Sequence, residues 1–268
     1  MICTYQQGFG ENANNSYHAS GMLGHTGADV KCGFGSPITA QFSGPAYKVL
    51  TPQNPANDGS GFTGVFQIVD NGIECFEWLV GHCNPLVAEG TYVTKGETIA
   101  SEANHGTVYS DGIRITLAMQ QAGDTRGNHR HDQKRLIRPV KQTRLGYRYL
   151  TQHSDGPSGG FYRSLEGFYY EIFNYDAGYH GCIDPLKPTF TRTLTIGMSG
   201  YDVFVLQRIL RKYGFLSAEP TGYFGRQTLA AMMAWQRTKG LTPAPFFGPQ
   251  SRGFALQECL PLPSLLVG

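Results

Sequence analysis

The residues best suited to chemistry in this chain lie in two histidine-bearing stretches. In GHTGADV, residues 24–30, His25 and Asp29 are four apart with no other charge between them. In GDTRGNHRHDQKR, His129 and His131 are two apart. Alternate residues of a strand share a face, so an extended backbone sets His129, His131 and Gln133 on one side and Arg130, Asp132 and Lys134 on the other. The same parity brings His25 and Asp29 together. These four side chains offer the nitrogen and oxygen donors that zinc takes, and a zinc with an open position polarises a carbonyl and activates water. Either pair alone is weak, because a surface turn or two solvated histidines would look the same. Both pairs in one domain strengthen the metal reading.

Elements able to position these groups are also marked in the pattern. From about residue 7 to 141, short runs of β-type residues (GVFQIV, IECFEWLV, TYVTKGETIA, GIRITLAM) alternate with Gly, Pro and Asn, which predicts a mainly antiparallel β domain. In VAEGTYVTKGETIA, Gly90 and Gly96 each follow a valine by three, the pattern of paired tight turns. Residues 142–190 are rich in aromatics (GYRYL, GFYYEIFNY) and read as a connecting segment, either a small β extension or an ordered linker. After DPLKPTFTR the period becomes helical. SGYDVFVLQRILRKYG sets Val203, Leu206, Leu210 and Tyr213 on one face, behind a capping-box-like start at Ser199 and Asp202. GRQTLAAMMAWQRTKG repeats the period with Leu229, Met232, Met233 and Gln236, and Gly240 closes it. The expected class is α+β and multidomain: β over 1–141, the connecting segment over 142–190, and a helical module over 191–262.

Length and composition bound the function. A chain of 268 residues suits two domains, and 40% hydrophobic with 16% charged residues excludes a wholly disordered protein. A net charge of +2 gives no global pull towards nucleic acid or membrane. Locally, Arg126, Arg130, Lys134, Arg135, Arg138, Lys141, Arg144 and Arg148 face one acid, Asp132, which predicts either a polyanion-binding patch or a solvated basic face. Six cysteines without a C-x-x-C pair argue against a zinc finger and a dense disulfide framework, leaving buried thiols as the expectation. No window reaches the roughly 18 apolar residues of a membrane span, and the N-terminus has no export-signal pattern. His18, His105, His153 and His180 have no partner at a motif spacing and read as surface or hydrogen-bonded, while Trp78 reads as core or groove wall.

Three segments together resemble a known family. GHTGADV is similar to the H-x-G-x-D motif of the lysostaphin/LytM-type zinc endopeptidases, WLVGHCNPLVAEGTYVTKGETIA to that family's central histidine segment, and GDTRGNHRH to its closing T-G-x-H-x-H strand. The resemblance covers about residues 7–140. It implies that His25, Asp29 and His131 bind Zn2+, and that His82 and His129 act beside the metal to activate water and stabilise the charged intermediate. Two departures stand out: Val80-Gly81-His82-Cys83 replaces a segment usually carrying tyrosine and leucine, and about twenty residues are inserted before the His129 strand.

LTIGMSGYDVFVLQRILRKYGFL, TGYFGRQTLAAMMAWQRTKGL and FFGPQSRGFAL resemble the three-helix peptidoglycan-binding domain type 1, over about 194–256. Both resemblances imply one polymer, the peptidoglycan of the bacterial wall, as partner. They imply a zinc-dependent hydrolase that cuts peptide crosslinks and gains effective concentration from a tethered binding unit. Without an export signal the expected setting is a bacteriophage endolysin or tail-associated lysin, found in the virion tail or the host cytoplasm before lysis, with other phage tail proteins as further partners. No nucleic acid and no membrane span are expected. The alternative is a catalytically inactive tail structural protein that docks to the wall. A basic nucleic-acid binder would account for 126–148 but not for His25, Asp29 or the C-terminal module.

Overall fold

The computed structural model describes residues 2–13, 17, 24–50, 61–140, 161–163, 169–172 and 182–261. The chain divides into two compact units, one comprising 1–69, 76–185 and 263–268, the other 70–75 and 186–262.

In the first unit the elements begin with β1 Thr4–Gln7, β2 Ala28–Lys31, β3 Pro37–Thr39, β4 Gly44–Leu50, β5 Thr63–Asp70, β6 Cys75–Gly81 and β7 Cys83–Pro85. They continue with β8 Thr91–Val93, β9 Thr98–Glu102, β10 Val108–Ser110, β11 Ile113–Ile115, α1 Leu117–Gln121 and β12 Arg130–Val140, then β13 Phe161–Arg163, β14 Tyr169–Ile172 and β15 Cys182–Ile183. The main sheet runs β1-β2-β12-β6-β5-β4-β8, with β1–β2, β2–β12, β12–β6, β5–β4 and β4–β8 paired antiparallel. A smaller sheet runs β3-β9-β7, and β10–β11 is a hairpin. Of the 142–190 segment, β14 and β15 pair with β12, and β13 with β14; the rest up to residue 181 lies outside the described residues.

The centre of this sheet is buried on both faces, so β5 and β6 read as largely apolar runs rather than alternations, while β12 carries charged residues into the interior. All of β6 is buried, and Val65, Phe66, Phe76, Trp78, Leu79 and Leu136 form core, which settles Trp78 as a packing residue. Truncating so large a buried ring to alanine typically costs about 3–5 kcal/mol. Gly90 and Gly96, at φ +77° and +91°, make the turns on either side of β8 that their spacing predicts.

Two expectations change here. Arg130, Lys134 and Arg135 are 3%, 4% and 1% exposed, so this part of the basic stretch is not a solvated or polyanion-binding face. They lie on β12, which has partners along both edges, and charge counting along the chain does not register that centrality. Arg130 Nε instead lies 2.9 Å from Asp132 Oδ2, and Lys134 Nζ stands 4.1 Å from the centre of the Phe76 ring. Lys141, Arg144 and Arg148 lie outside the described residues. Cys3 and Cys32 are not thiols but a disulfide, because the β1–β2 register pairs Thr4 with Lys31 and sets the flanking cysteines opposite each other. Cys75, Cys83 and Cys182 are buried thiols, as expected.

The second unit contains β16 Leu194–Thr195, α2 Tyr201–Lys212, α3 Arg226–Thr238, β17 Phe246–Phe247 and α4 Pro249–Leu256, with β16 paired to β17. Val203, Leu206, Ile209 and Leu210 are fully buried, but Tyr213 is 42% exposed because α2 has ended there. The α2 N-cap is Gly200, with no side-chain cap, so Ser199 does not play that part. Asp202 sits in the first turn, where a negative charge meets the positive end of the helix dipole, and Arg192 Nε donates to it at 2.7 Å. On α3 the buried residues are Thr228, Ala231, Met232, Trp235 and Gln236, while Leu229 and Met233 are half-buried. Gly240, at φ +72°, follows the C-cap Lys239 as predicted. Among the described residues no helix is long and apolar enough to cross a membrane.

Candidate metal centre and its groove

The site forms where β2, β12 and β6 lie side by side, with His131 opposite Asp29 on one edge and opposite Gly81 on the other. His25 precedes β2 and is held by its backbone: its N–H donates to the Glu11 carbonyl at 2.9 Å, and its carbonyl accepts from Gly10 N at 2.8 Å. Between His25 and Asp29, Gly27 approaches β12 so closely that a Cβ would fall 2.3 Å from the Asp132 carbonyl and 2.8 Å from the His131 ring. Gly27, the second glycine of GHTGADV, is therefore what admits the imidazole of His131.

His25 Nε2, Asp29 Oδ1 and His131 Nδ1 make a near-equilateral triangle. The edges are 2.9 Å between the nitrogens, 3.0 Å from His131 to Asp29 and 3.2 Å from His25 to Asp29. Tetrahedral zinc with bonds of about 2.0–2.1 Å spaces its ligands roughly 3.3 Å apart, close to this triangle. Among the described residues these three side chains form the group able to hold a metal ion.

The outer partners fix which nitrogen points inward. His25 Nδ1 lies 3.1 Å from the Gly8 carbonyl, which can only accept, so Nδ1 carries the proton and Nε2 presents its lone pair to the triangle. Gln133 Nε2 donates to Cys182 Sγ, leaving Gln133 Oε1 to accept from His131 Nε2 at 3.2 Å, so the inward atom there is again a lone pair. Two lone pairs and a carboxylate facing one another at about 3 Å repel unless a cation or protons stand between them. Burial tends to raise the Asp29 carboxyl, but with a proton shared from His131 or His25 standing where a cation would, those hydrogen bonds outweigh it and hold it well below the ordinary carboxylate range. The donor set thus fits zinc.

Two more histidines stand beside the triangle. His129 Nδ1 donates to the Gly127 carbonyl at 2.9 Å, which turns Nε2 towards Asp29 Oδ2, 3.6 Å away. His82 lies between β6 and β7 at φ +55°, a left-handed backbone conformation that few side-chain-bearing residues adopt, although histidine enters it more readily than most. Its ring is 4.5 Å from that of His129 and 6.1 Å from that of His131, and its Nδ1 donates to the His105 carbonyl. Burial, then the His129 and His131 charges, push the His82 imidazole from 6.5 down to about 3.

The structure therefore brings together the five side chains singled out in the sequence: His25, Asp29, His82, His129 and His131. They line a groove of about 810 Å³. The inserted residues before the His129 strand build the β10–β11 hairpin and α1, and Thr107 to Asp111 wall the groove. Sequence reasoning missed the supporting groups. Glu102, fully buried, accepts from Cys32 N at 2.8 Å, from Gly33 N at 3.0 Å and from Asn128 Nδ2, tying the end of β2 to the residue before His129. Nothing local marks Glu102, the Gly8 carbonyl or His105, although strand parity did place Gln133 beside His131.

In fold comparisons the chain is similar to a variant of the catalytic domain of the prophage-encoded M23 protein EnpA from Enterococcus faecalis. That match has 20% identity and a TM-score of 0.31, over 50% of this chain and 81% of that one. It is similar to the catalytic domain of the antimicrobial peptidase lysostaphin from Staphylococcus simulans at 20% identity and a TM-score of 0.30, over 50% and 80%. The SleB N-terminal domain matches at 28% identity and a TM-score of 0.24, over 25% and 92%. No curated protein matches the chain in sequence. Within the second unit, residues 199–243 match the family model of a peptidoglycan binding domain.

Proposed function

We propose that this chain is a zinc-dependent peptidoglycan hydrolase that cleaves peptide crosslinks, with an endopeptidase domain over 1–141 joined through 142–190 to a three-helix wall-binding bundle over 191–262. The observation that carries the reading is the convergence of the His25, Asp29 and His131 donor atoms within about 3 Å, each imidazole locked by an outer acceptor so that a lone pair faces inward. The family match over 199–243 supports peptidoglycan as the polymer that is held.

His25, Asp29 and His131 would hold the zinc. A zinc so held supplies a polarised carbonyl and a water acidic enough to attack near neutral pH. The remaining steps belong to side chains of the chain. With its pKa pushed down to about 3, His82 is neutral at neutral pH, and its Nε2 is free of the proton carried on Nδ1. That nitrogen would accept a hydrogen bond from the attacking water and so orient it. His129 also presents a bare Nε2, which would take the proton of the attacking water, hydrogen-bond the charged intermediate through that proton and then pass it to the departing amine. Phe62 packs edge-on at 5.1 Å from the His82 ring and limits water on that side.

The competing reading, a wall-docking protein without activity, predicts a broken donor set, whereas this one is complete. The test is release of new amino groups from purified peptidoglycan by wild type and His131→Ala, each with chelator and with added zinc. Chelator-sensitive release, restored by zinc and missing in the variant, is expected. Wall binding without release on several wall chemistries would establish the docking role instead.

A further inference from the structure

The segment Glu102–Gly106 passes between the two histidines that flank the triangle. Ala103 N donates to the His82 carbonyl at 2.9 Å, and the Ala103 carbonyl accepts from His129 N at 3.3 Å, so one residue ties both backbones. Asn104, buried, donates through Nδ2 to the carbonyls of Asp124 at 2.8 Å and Arg126 at 3.1 Å, anchoring the segment below His129. The next carbonyl, that of His105, takes the proton on His82 Nδ1.

That carbonyl is aimed by a side chain. His105 Nε2 lies 2.6 Å from Asn84 Oδ1 on β7, and because the amide oxygen only accepts, Nε2 is the donor. The imidazole of His105 is thereby pinned to the strand that begins immediately after His82. Gly106, at φ +92°, turns the chain directly beneath the His82 ring, where a Cβ would stand 3.1 Å from Nδ1. His82 itself sits at a positive φ, so its ring direction depends on such outside support rather than on a regular strand.

We propose that Asn84 and His105 are positioning residues that fix the tautomer and the aim of His82, a proposal that rests on the hydrolase reading above. Asn84 clamps the His105 side chain, and the His105 carbonyl then keeps the proton on His82 Nδ1. This leaves Nε2 as the acceptor that water-activating chemistry requires. Neither residue lines the groove or belongs to the triangle.

Four variants of the full, zinc-loaded chain test this: Asn84→Ala and His105→Ala, which remove the clamp, and Asn84→Asp and His105→Gln, which keep an acceptor or a donor. Turnover of a soluble peptidoglycan fragment is measured together with zinc affinity and the ¹⁵N resonances of the His82 imidazole. Loss of an outer-shell partner commonly costs roughly 10–100-fold, so kcat is expected to fall at least about tenfold in both alanine variants, with KM and zinc affinity within about twofold. Asn84→Asp and His105→Gln are expected to recover most of it. The wild-type spectrum is expected to show a proton on Nδ1 and a bare Nε2, and the alanine variants a mixture. Unchanged kcat, or kcat, KM and zinc affinity all failing together, would overturn the proposal. If the wild type cleaves nothing, the hydrolase reading fails, and a pure Nδ1–H form persisting in Asn84→Ala separately sinks the positioning role.

Discussion

Both units bury polar side chains, but they treat them in opposite ways. In the helical unit Gln207 has every hydrogen-bonding position filled. Its Nε2 donates to the Tyr223 carbonyl and Thr228 Oγ1, both at 2.9 Å, and its Oε1 accepts from Thr221 N at 2.8 Å and Gly222 N at 2.7 Å. Gln236 behaves alike, joining the Phe246 carbonyl, Ser251 Oγ and Ala244 N. These glutamines stand in for missing stretches of ladder and finish local turns. In the β unit the outer atoms of His25, His131, His129 and His82 are equally well satisfied, yet the inner atoms converge on one another. The difference teaches how to tell a structural polar group from a binding one: the first closes its account within the protein, while the second keeps its best acceptors facing inward for something not yet there.

The sharpest way to break this contrast is His131→Ala. It should abolish hydrolysis by more than the roughly 100-fold that outer-shell losses cost, while calorimetry shows the helical unit melting as before. Retained activity would mean that the triangle is not the metal centre. Next comes acid. His82 has its folded pKa lowered to about 3, so between there and 6.5 the unfolded chain binds a proton that the folded one refuses. Stability of the metal-free protein should therefore fall as pH drops through that window, by as much as roughly 5 kcal/mol. The lowered Asp29 acts in the same direction, its contribution being full above the ordinary carboxylate value and lost only as pH falls through its lower folded value. His82→Ala should flatten urea-derived stability between pH 6.5 and 3, and an unchanged slope would refute the assignment.

Smaller effects refine the comparison. Opening the Cys3–Cys32 link, which closes a separation of 29 residues, should destabilise the β unit by about 3 kcal/mol, read as a shift of its denaturation midpoint on Cys3→Ser with Cys32→Ser. Gln207→Ala leaves two backbone N–H groups and a carbonyl without that partner and should cost the helical unit about 2 kcal/mol. Wall binding should weaken while cleavage of a soluble fragment persists. Loss of both together would show that the two kinds of buried polarity are not separable.

What the sequence disclosed followed from what is local. The i, i+2 parity of His131 and Gln133, the spacing of His25 and Asp29, and the turns at Gly90 and Gly96 depend on neighbours along the chain, and each is found in the fold. The meeting of the two histidine stretches depends on β12 lying against β2, a pairing across about a hundred residues that no period announces. For the same reason the basic run misled: Arg135 is charged in sequence and buried in space because of the strands on either side. Helix α2 shows the smaller error, with Gly200 taking the cap expected of Ser199 and Tyr213 falling one residue past the helix. Residues such as Glu102 and Asn84 were invisible because their partners are backbone groups or residues far along the chain, and composition carries no trace of that.

The inward lone pairs would also bear on which ions the proposed metal centre passes over. Calcium and magnesium are hard ions that gather about six or more oxygens, keeping water where protein oxygens run short. A triangle of two imidazole nitrogens and one carboxylate oxygen, with Gln133 and the Gly8 carbonyl already committed behind the rings, offers them a single ligand of the right kind. If the triangle holds a metal as proposed, selectivity against the commonest divalent ions would be set not by the three ligands alone but by the two acceptors standing behind them, which keep the imidazoles from turning any other atom inward.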